Sequence, residues 1–352
     1  MARLLPAGLL ILAALAVGCA PRRLPPQADA LRERYEFTRP QMGVPFRIVL
    51  YATNQTHAQT AANAAFARVE ALNAIFSDYE SDSEITLLGR NAPVGQPVPV
   101  SPELAHLLHR AQSLARASDG AFDVTVGPIV QLWRRARRHR ELPPPHLLAE
   151  ARTRSGWQFL SVDPRSRTVT LHRERMRLDF GGIAKGYAAD EALRVLRDLD
   201  CPRALVAAAG DVAAGDPPPD RPGWRVEIGQ SDHPSAPSPR ALWLRNAAVA
   251  TSGDLFQRLE IDGHRYSHIL DPRTGIGLTD RSLAIVLARD ATTADSLATT
   301  LSVLGPDGLP LIERTPAAAA LLLRSPDGSL EIFESRRLPR WLRNAPATPE
   351  SP

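Results

Sequence analysis

Cysteine is scarce in this sequence of 352 residues, which contains only Cys19 and Cys201. A disulfide-rich scaffold is therefore excluded, and the fold must be stabilised by its hydrophobic core. If Cys19 is modified, Cys201 has no partner for an internal disulfide. We interpret Cys201 as a structural residue, since no histidine lies near it in sequence to activate a reactive thiol.

Signatures of nucleic-acid binding are also missing. The formal charge is +4, and arginines at positions 134, 135, 137, 138 and 140 form one basic cluster. No aromatic residues are interleaved with them and no recognition motif accompanies them, so we predict no nucleic-acid partner. A composition of 44% hydrophobic and 23% charged residues is typical of a soluble globular protein.

The N-terminus has the layout of a secretory signal. Arg3 precedes an apolar run over residues 9–17, which is shorter than a typical transmembrane helix. Cys19 follows Ala-Val-Gly and resembles the cysteine of a bacterial lipobox, although Ala16 stands where leucine is usual. We expect export and a lipid anchor on Cys19, with a retained membrane anchor as the alternative.

One stretch, residues 178–187, combines a glycine pair with a positive charge and reads LDFGGIAKGY. The pattern predicts a strand, a tight glycine turn and a helix start. Glycines allow close approach of a ligand, and the free N–H groups of a helix N-terminus together with Lys185 favour an anion such as phosphate. A plain strand-to-helix turn with a surface lysine is the alternative. The stretch lacks both GxGxxG and the GK[ST] ending of a P-loop.

Hydrophobic periodicity predicts the main elements. We expect helices over residues 56–76, 102–117 and 187–200, with further helices starting near 83, 128, 293 and 309. We expect strands over residues 46–51, 204–209, 224–228 and 284–288, with hairpins at 160–171 and around 326–328. Residues 134–157, with three consecutive prolines, are expected to form a surface excursion.

Several polar residues are candidates for chemistry. Tyr79 lies among polar loop residues and either stacks on a flat ring or is a half-buried loop tyrosine. Asp123 precedes a strand-like pair of valines, where a carboxylate can meet a hydroxyl or an amine. Asp295 and Thr299 are four apart on a predicted helix and offer two oxygens to a cation such as Mg²⁺, or else form an ordinary helix start. His268 is a candidate general base in an apolar strand end, or a structural histidine.

Taken together, these segments resemble the ApbE family of FAD:protein FMN transferases, from about residue 42 to residue 305. The motifs occur in the order of the family: Met42-Gly43, FSDY of 76–79 with Ser83-Glu84, SDGAFDVTVGP of 118–128, LDFGGIAKGYAAD of 178–190, TSGD of 251–254, YSHILDPRTG of 266–275, and ADSLATTL of 294–301.

The resemblance implies an α+β fold, with a T-fold-like mixed sheet, flanking helices and an FAD cleft between two lobes. It implies FAD as substrate, and Mg²⁺ held by Asp295, Thr299 and the carbonyl of Gly182. His268 matches a family residue implicated in activating the acceptor hydroxyl. The positions that match FAD contacts of the family are Met42, Tyr79, Ala121, Phe122, Asp123, Asp179, Lys185 and Ile269.

The implied partner is an acceptor protein that receives FMN on a threonine, often a subunit of a membrane electron-transport complex. Hydrolysis of FAD to FMN and AMP, and flavin binding without catalysis, are the alternative functions. One departure is Ala209 before Gly210, where family members commonly carry two glycines, and we expect its methyl group to crowd a ligand-facing turn. The predicted organisation is a signal peptide over 1–18, a tether over 19–34, one domain over 35–342 and a disordered tail over 343–352.

Overall fold

The computed structural model describes residues 32–253, 258–261 and 263–343. The signal peptide predicted over 1–18, the tether up to residue 31 and the tail from 344 lie outside these residues. So does Asp254 of the TSGD motif. The first strand begins at Glu33, inside the predicted tether.

The described residues form both strands and helices. The strands are β1 (Glu33–Gln41), β2 (Val44–Ala52), β3 (Pro97–Pro99), β4 (Leu160–Asp163), β5 (Thr168–Leu171), β6 (Ala204–Ala208), β7 (Asp211–Ala214), β8 (Trp224–Ile228), β9 (Arg240–Leu244), β10 (Ala247–Gly253), β11 (Arg258–Ile261), β12 (His264–Ser267), β13 (Leu270–Asp271), β14 (Ile276–Gly277), β15 (Arg281–Ala288), β16 (Ala319–Ser325) and β17 (Glu331–Glu334). The helices are α1 (Gln55–Phe76), α2 (Glu84–Asn91), α3 (Pro102–Ala117), α4 (Gly127–His139), α5 (Pro145–Thr153), α6 (Ala184–Asp198), α7 (Ala291–Leu304), α8 (Leu309–Arg314) and α9 (Leu338–Arg343). None of the helices in the described ranges is both long enough and apolar enough to cross a membrane.

Eight strands form one antiparallel sheet in the order β1-β2-β6-β7-β10-β15-β16-β17. Side chains alternate between its two faces, as the pleat requires. In β15, Ala284 and Val286 face one core, whereas Leu283, Ile285 and Leu287 face the other. Both faces of the sheet are therefore covered.

Helices α1, α6 and α7 cover the first face. The buried positions of α1, among them Ala58, Ala62, Phe66, Val69 and Leu72, recur at helical spacing. The hairpin β8–β9 and helix α9 cover the other face, where Trp224, Leu242 and Leu338 are buried. The sheet thus fixes the relative positions of α6 and α7, which carry the candidate site.

A smaller lobe is formed by α4, α5 and the hairpins β11–β12 and β13–β14. Its own core contains Ile129 and Trp133 from α4, Ala151 from α5, and Leu259 and Leu270 from the strands. The predicted α+β architecture, a large sheet with flanking helices, is confirmed. No segment of the sequence was predicted to form the smaller lobe, because its core is contributed by parts of the chain more than a hundred residues apart.

Most predicted elements are present, with boundaries shifted by a few residues. Three expectations were wrong. Residues 176–180 form no strand beyond a single bridge between Val126 and Arg177, and Val124, the first valine after Asp123, lies in a turn. The excursion over 134–157 contains the second half of α4 and all of α5. Arginine-rich and proline-rich segments look like surface loops, but Trp133, Ala136 and Ala151 anchor these helices to the small core.

Cys201 is buried, as its structural interpretation requires. Burial raises the pKa of its thiol to about 11. His57, which is distant in sequence, places Nε2 3.6 Å from the sulfur. A thiol with a raised pKa is mostly protonated at neutral pH and is a poor nucleophile.

Candidate active site

Lys185 lies between two aspartates where α6 meets β7 and α7. Its Nζ is 2.6 Å from Oδ2 of Asp211, and 3.3 and 3.4 Å from the two carboxylate oxygens of Asp295. Asp211 and Asp295 are 2% and 3% exposed. Lys185 is also the only lysine in the sequence. We call these three residues the Lys185 cluster.

Gly186 allows α6 and α7 to approach closely enough to form this cluster. A Cβ atom at this position would lie 2.2 Å from the carbonyl oxygen of Ala291 in α7, so only glycine fits. The Gly186 N–H donates to Oδ2 of Asp295 at 3.0 Å. We had expected the N–H groups at the start of α6 to favour a bound phosphate, but one of them binds a carboxylate of the chain itself.

Two further aspartates fix the start of α7, and with it the position of Asp295. Asp290 is the N-cap of α7. Asp190 of α6 accepts hydrogen bonds from the N–H groups of Ala291 and Thr292, each at 2.8 Å. Burial raises the pKa of Asp190 to about 6, although these hydrogen bonds oppose the shift. The two helices are therefore joined at residues 186 and 190.

The Lys185 cluster has a net negative charge when all three side chains are ionised. Burial and the charge of Asp295 raise the pKa of Asp211 to about 7, against the opposing effect of Lys185. Burial disfavours the charged form of Lys185, but Asp211 and Asp295 outweigh it and raise the pKa of Lys185 above its usual value. When Asp211 is ionised, Coulomb attraction at this cluster favours a further cation over an anion. A contact between Lys185 and a pyrophosphate stays a prediction.

Thr299 lies one helical turn after Asp295, next to Gly182. Its hydroxyl makes no hydrogen bond with the described residues, whereas those of the other three threonines of α7 each make at least one: Thr292, Thr293 and Thr300. A Cβ atom on Gly182 would lie 2.9 Å from Oγ1 of Thr299. The glycine therefore keeps space open beside an unused hydroxyl.

The predicted metal ligands have the chemistry that a hard cation requires. The carboxylate of Asp295, the hydroxyl of Thr299 and the carbonyl of Gly182 are all oxygens, the ligands that Mg²⁺ prefers. Across residues 32–253, 258–261 and 263–343, no three His, Cys, Asp or Glu side chains are grouped to hold a metal. A magnesium ion on Asp295, Thr299 and Gly182 stays a prediction.

A second charged group connects the smaller lobe to the main body. Arg134 of α4 donates two hydrogen bonds to Asp78, at 2.5 and 3.1 Å, and one to Asp179 at 3.1 Å. Its guanidinium carbon is 4.0 Å from the ring centre of Tyr79, whose side chain is 77% exposed. Burial and the charge of Asp78 raise the pKa of Asp179 to about 6, against the effects of Arg134 and the Gly181 N–H. Tyr79 and Asp179 are thus brought together through Arg134.

A cleft of about 550 Å³ opens beside Asp123, between α5, the segment 155–158 and Pro272-Arg273. Asp123 accepts a hydrogen bond from the Thr125 N–H at 2.7 Å, and burial raises its pKa to about 6. Ala121 and Phe122 are 1% and 4% exposed and lie in the core. Of these three predicted FAD contacts, Asp123 is the one that lines the cleft.

His268 lies in an exposed bend directly after β12 and not within an apolar strand, contrary to the expectation. The next residue, Ile269, is buried, and its N–H donates to Oγ of Ser267 at 3.1 Å. The loop that follows is held by Trp133 of α4, whose indole N–H donates to the carbonyl of Gly275 at 2.8 Å. The histidine therefore stands on a supported loop and is open to a second molecule.

Met42 lies in the turn between β1 and β2, where it has a φ of 49°. Phe46 pairs with Ala208, so this turn and the turn between β6 and β7 lie at the same end of the sheet, next to Asp211. Ala209 in the second turn has a φ of 53°, a left-handed value that glycine adopts more readily. Ala209 therefore adds backbone strain to this turn. The crowding that we expected from its methyl group would be a separate effect.

The sequence interpretation missed four residues that organise these groups: Arg134, Asp78, Asp190 and Asp211. Arg134 was assigned to the basic cluster of residues 134–140, and no role was predicted for Asp211. Their partners are 26 to 102 positions away, so no local spacing reveals them. The signal that could have found them is charge placed inside otherwise apolar segments.

Comparison with known proteins gives consistent matches over most of the chain. A model of the ApbE family matches residues 42–322. The FAD:protein FMN transferase of Haemophilus influenzae is 32% identical over 267 residues, which cover 73% of this chain and 76% of the relative. The protein of the same name from Vibrio cholerae is 29% identical over 271 residues, covering 76% and 80%.

Solved structures agree with the fold. The flavin transferase ApbE from Vibrio cholerae has a TM-score of 0.78 at 26% identity, covering 88% of this chain and 100% of the other. The apo form of the flavinyl transferase ApbE from Pseudomonas stutzeri also has a TM-score of 0.78, at 29% identity, covering 90% and 98%. The large sheet, the flanking helices and their order are therefore shared with these proteins.

Proposed function

This chain belongs to the ApbE family, and we propose on that basis that it is an enzyme that transfers FMN from FAD to an acceptor protein. In finer terms, we propose that the transfer depends on Mg²⁺, that a threonine hydroxyl receives the FMN and that AMP leaves. The observation that carries the proposal is the Lys185 cluster with the unused hydroxyl of Thr299. It offers oxygen donors and net negative charge to a cation that can also hold a pyrophosphate.

The proposed reaction is a substitution at the phosphorus on the FMN side of the pyrophosphate. The threonine oxygen forms a bond to this phosphorus, the bond to the bridging oxygen breaks, and AMP departs with that oxygen. The hydroxyl proton passes to a base. Bound Mg²⁺ would supply stabilisation of the negative charge on the departing AMP.

The residues of the chain have separate tasks in this proposal. Asp295, Thr299 and the carbonyl of Gly182 would hold the metal ion, and Lys185 fixes the position of Asp295 through contacts with its carboxylate. Tyr79 and Asp179 bind the flavin, while Asp123 meets a polar part of FAD in the cleft. Four further positions match FAD contacts of the family and support this assignment: Met42, Ala121, Phe122 and Ile269.

His268 is the proposed base. Its position in an exposed bend supports this role, because the hydroxyl to be deprotonated belongs to another protein and must reach the base from solvent. The same exposure would admit water, which makes hydrolysis of FAD the reaction that competes with transfer.

The proposed location follows from the N-terminal residues. Arg3, the apolar run and Cys19 support export and a lipid anchor at the inner membrane, with the domain facing the periplasm. An acceptor subunit of a membrane electron-transport complex would then share the compartment. Mass spectrometry of the mature N-terminus tests the anchor, and an unmodified Cys19 would refute it.

The central test is to incubate the purified protein with FAD, Mg²⁺ and a candidate acceptor, and to measure the intact mass of the acceptor. We expect a gain of one FMN less one water, with AMP released in equal amount. An unchanged acceptor mass, with free FMN and AMP accumulating, would show hydrolysis instead. Neither product forming, with FAD still bound, would leave flavin binding as the only activity.

Two variants separate the metal site from the base. Asp295→Ala should lose Mg²⁺-dependent turnover, and His268→Ala should lose transfer while FAD binding is retained. Asp198→Ala, an exposed carboxylate at the far end of α6, is the matched control and should remain active. Full activity of Asp295→Ala would contradict the metal assignment, and normal transfer by His268→Ala would contradict the role as base.

A further inference from the structure

Arg134 differs from the arginines around it. Arg135, Arg137, Arg138 and Arg140 are exposed and form no ion pair with the described residues. Arg134 is half-buried and makes three hydrogen bonds with two carboxylates that lie about a hundred residues apart in the chain. The positive charge of Arg134 is therefore paired with carboxylates of the protein itself.

The guanidinium also fixes the exposed ring of Tyr79. The loop between α1 and α2 holds the Tyr79 backbone through one hydrogen bond, from its N–H to Oγ of Ser77 at 3.3 Å. Tyr79 as a whole is 77% exposed, and one face of its ring lies against the Arg134 guanidinium, 4.0 Å from the ring centre to the guanidinium carbon. A planar cation against one face of an aromatic ring is a favourable arrangement, and it leaves the opposite face open.

We propose that Arg134 is a positioning residue for the flavin: it holds the loop of Asp78 and Tyr79 against Asp179, so that the open face of Tyr79 is presented to a flat ring. The proposal rests on the proposed function, because it takes FAD as the ligand. The fork of Arg134 binds Asp78 through two nitrogens, which fixes the direction of the guanidinium as well as its distance. Tyr79 and Asp179 come from segments a hundred residues apart, and Arg134 joins them.

The position of Arg134 also connects the flavin side to the loop of His268. Trp133, the preceding residue of α4, donates to the carbonyl of Gly275 and packs on the ring of Tyr266, with ring centres 5.4 Å apart. Consecutive residues of one helix thus hold the two loops that the proposed reaction needs. A displacement of α4 would move both.

The test is a double-mutant cycle on FAD affinity, measured by titration with the full-length protein. Arg134→Gln should raise the Kd for FAD roughly five- to twentyfold and Tyr79→Ala by a similar factor, while the double variant should be hardly weaker than either single one. Turnover at saturating FAD should change less than about twofold, since a positioning effect on binding appears in KM and not in kcat. Arg138→Gln, one turn along the same helix face, is the control for the loss of a positive charge and should bind FAD normally.

Arg134→Lys keeps the charge between Asp78 and Asp179 but removes the fork and the flat face. It should raise the Kd for FAD by roughly threefold or more. If the thermal midpoint shows that Arg134→Gln does not fold, Arg134→Lys takes its place in the measurement. Unchanged affinity for FAD in folded Arg134 variants would overturn the proposal. So would a double variant whose increase in Kd equals the product of the increases in the two single variants. Absence of FAD binding by the unsubstituted protein would instead refute the proposed function.

Discussion

Gly182→Ala is expected to disturb the proposed metal site through a single methyl group. Gly182 does not have a positive φ, so alanine adds no backbone strain there. The new Cβ would lie 2.9 Å from Oγ1, 3.0 Å from Cγ2 and 3.2 Å from Cβ of Thr299, all tighter than ordinary contact. The threonine side chain must move, and the backbone of α7 resists because Asp190 and Asp290 fix its start.

The size of the effect follows from the stiffness of threonine. A β-branched side chain in a helix has few rotamers, and a displacement of about 30° from one costs about 0.5–1.5 kcal/mol. Overpacking typically costs about 1–3 kcal/mol, of which about 0.4–1 kcal/mol is recovered because alanine restricts the unfolded chain. We therefore expect a loss of about 0.5–2 kcal/mol in the free energy of unfolding. The Mg²⁺ concentration for half-maximal FAD cleavage should rise roughly three- to tenfold.

The assay combines urea unfolding, calorimetric titration with Mg²⁺ in the absence of FAD, and cleavage rates against Mg²⁺ concentration. Thr299→Ser removes Cγ2 and allows the hydroxyl to rotate, so Gly182→Ala combined with Thr299→Ser should recover part of the lost stability and affinity. Thr299→Ser alone is the matched control. If Gly182→Ala leaves both stability and Mg²⁺ affinity unchanged, the contact between Gly182 and Thr299 does not matter and our assignment of the metal site fails.

Three further substitutions test the surroundings of the site. Ala209→Gly should raise the free energy of unfolding by about 0.5–1 kcal/mol in urea titrations, because it relieves a φ of 53°; a loss of stability would contradict the strain. Gly186→Ala should cost more than about 3 kcal/mol or prevent folding, as judged by its thermal midpoint, because the new Cβ would lie 2.2 Å from the carbonyl oxygen of Ala291. Burial raises the pKa of Asp123 from 3.8 to about 6, so its contribution to stability is present below about pH 4 and is lost as the pH rises to about 6. Relative to the unsubstituted protein, Asp123→Asn should therefore gain up to about 3 kcal/mol of stability between pH 4 and pH 7, and parallel pH profiles would refute this.

The sequence predicted the elements whose pattern is local. Helix α3 was predicted with both boundaries correct, since Ser101 caps it and its apolar residues recur at helical spacing. Strand β15 was recognised from its continuous run of apolar residues. Strand β1 was missed because most of its residues are exposed or half-buried, so its sequence shows no apolar alternation to detect. It is defined instead by nine residue pairs with β2.

For the candidate site, the metal-ligand candidates and Lys185 were found from residue type, spacing and family resemblance. What the sequence could not provide was the pairing of charges. Lys185 was expected to face a phosphate, whereas its closest partners are carboxylates of β7 and α7. Such contacts depend on the order of strands in the sheet and on how closely α6 packs on α7, and neither is encoded in a short segment.

The position of Lys185 affects how the protein can be labelled. Acylating reagents attack neutral amines, and this sequence offers them no lysine except Lys185. Its ammonium group is held by Asp211 and Asp295, which keep its pKa above the usual value and the amine protonated. Amine-directed crosslinkers and dyes should therefore leave the side chains of the native protein unmodified. Unfolding would make Lys185 reactive, and its acylation would then report selectively on loss of the site.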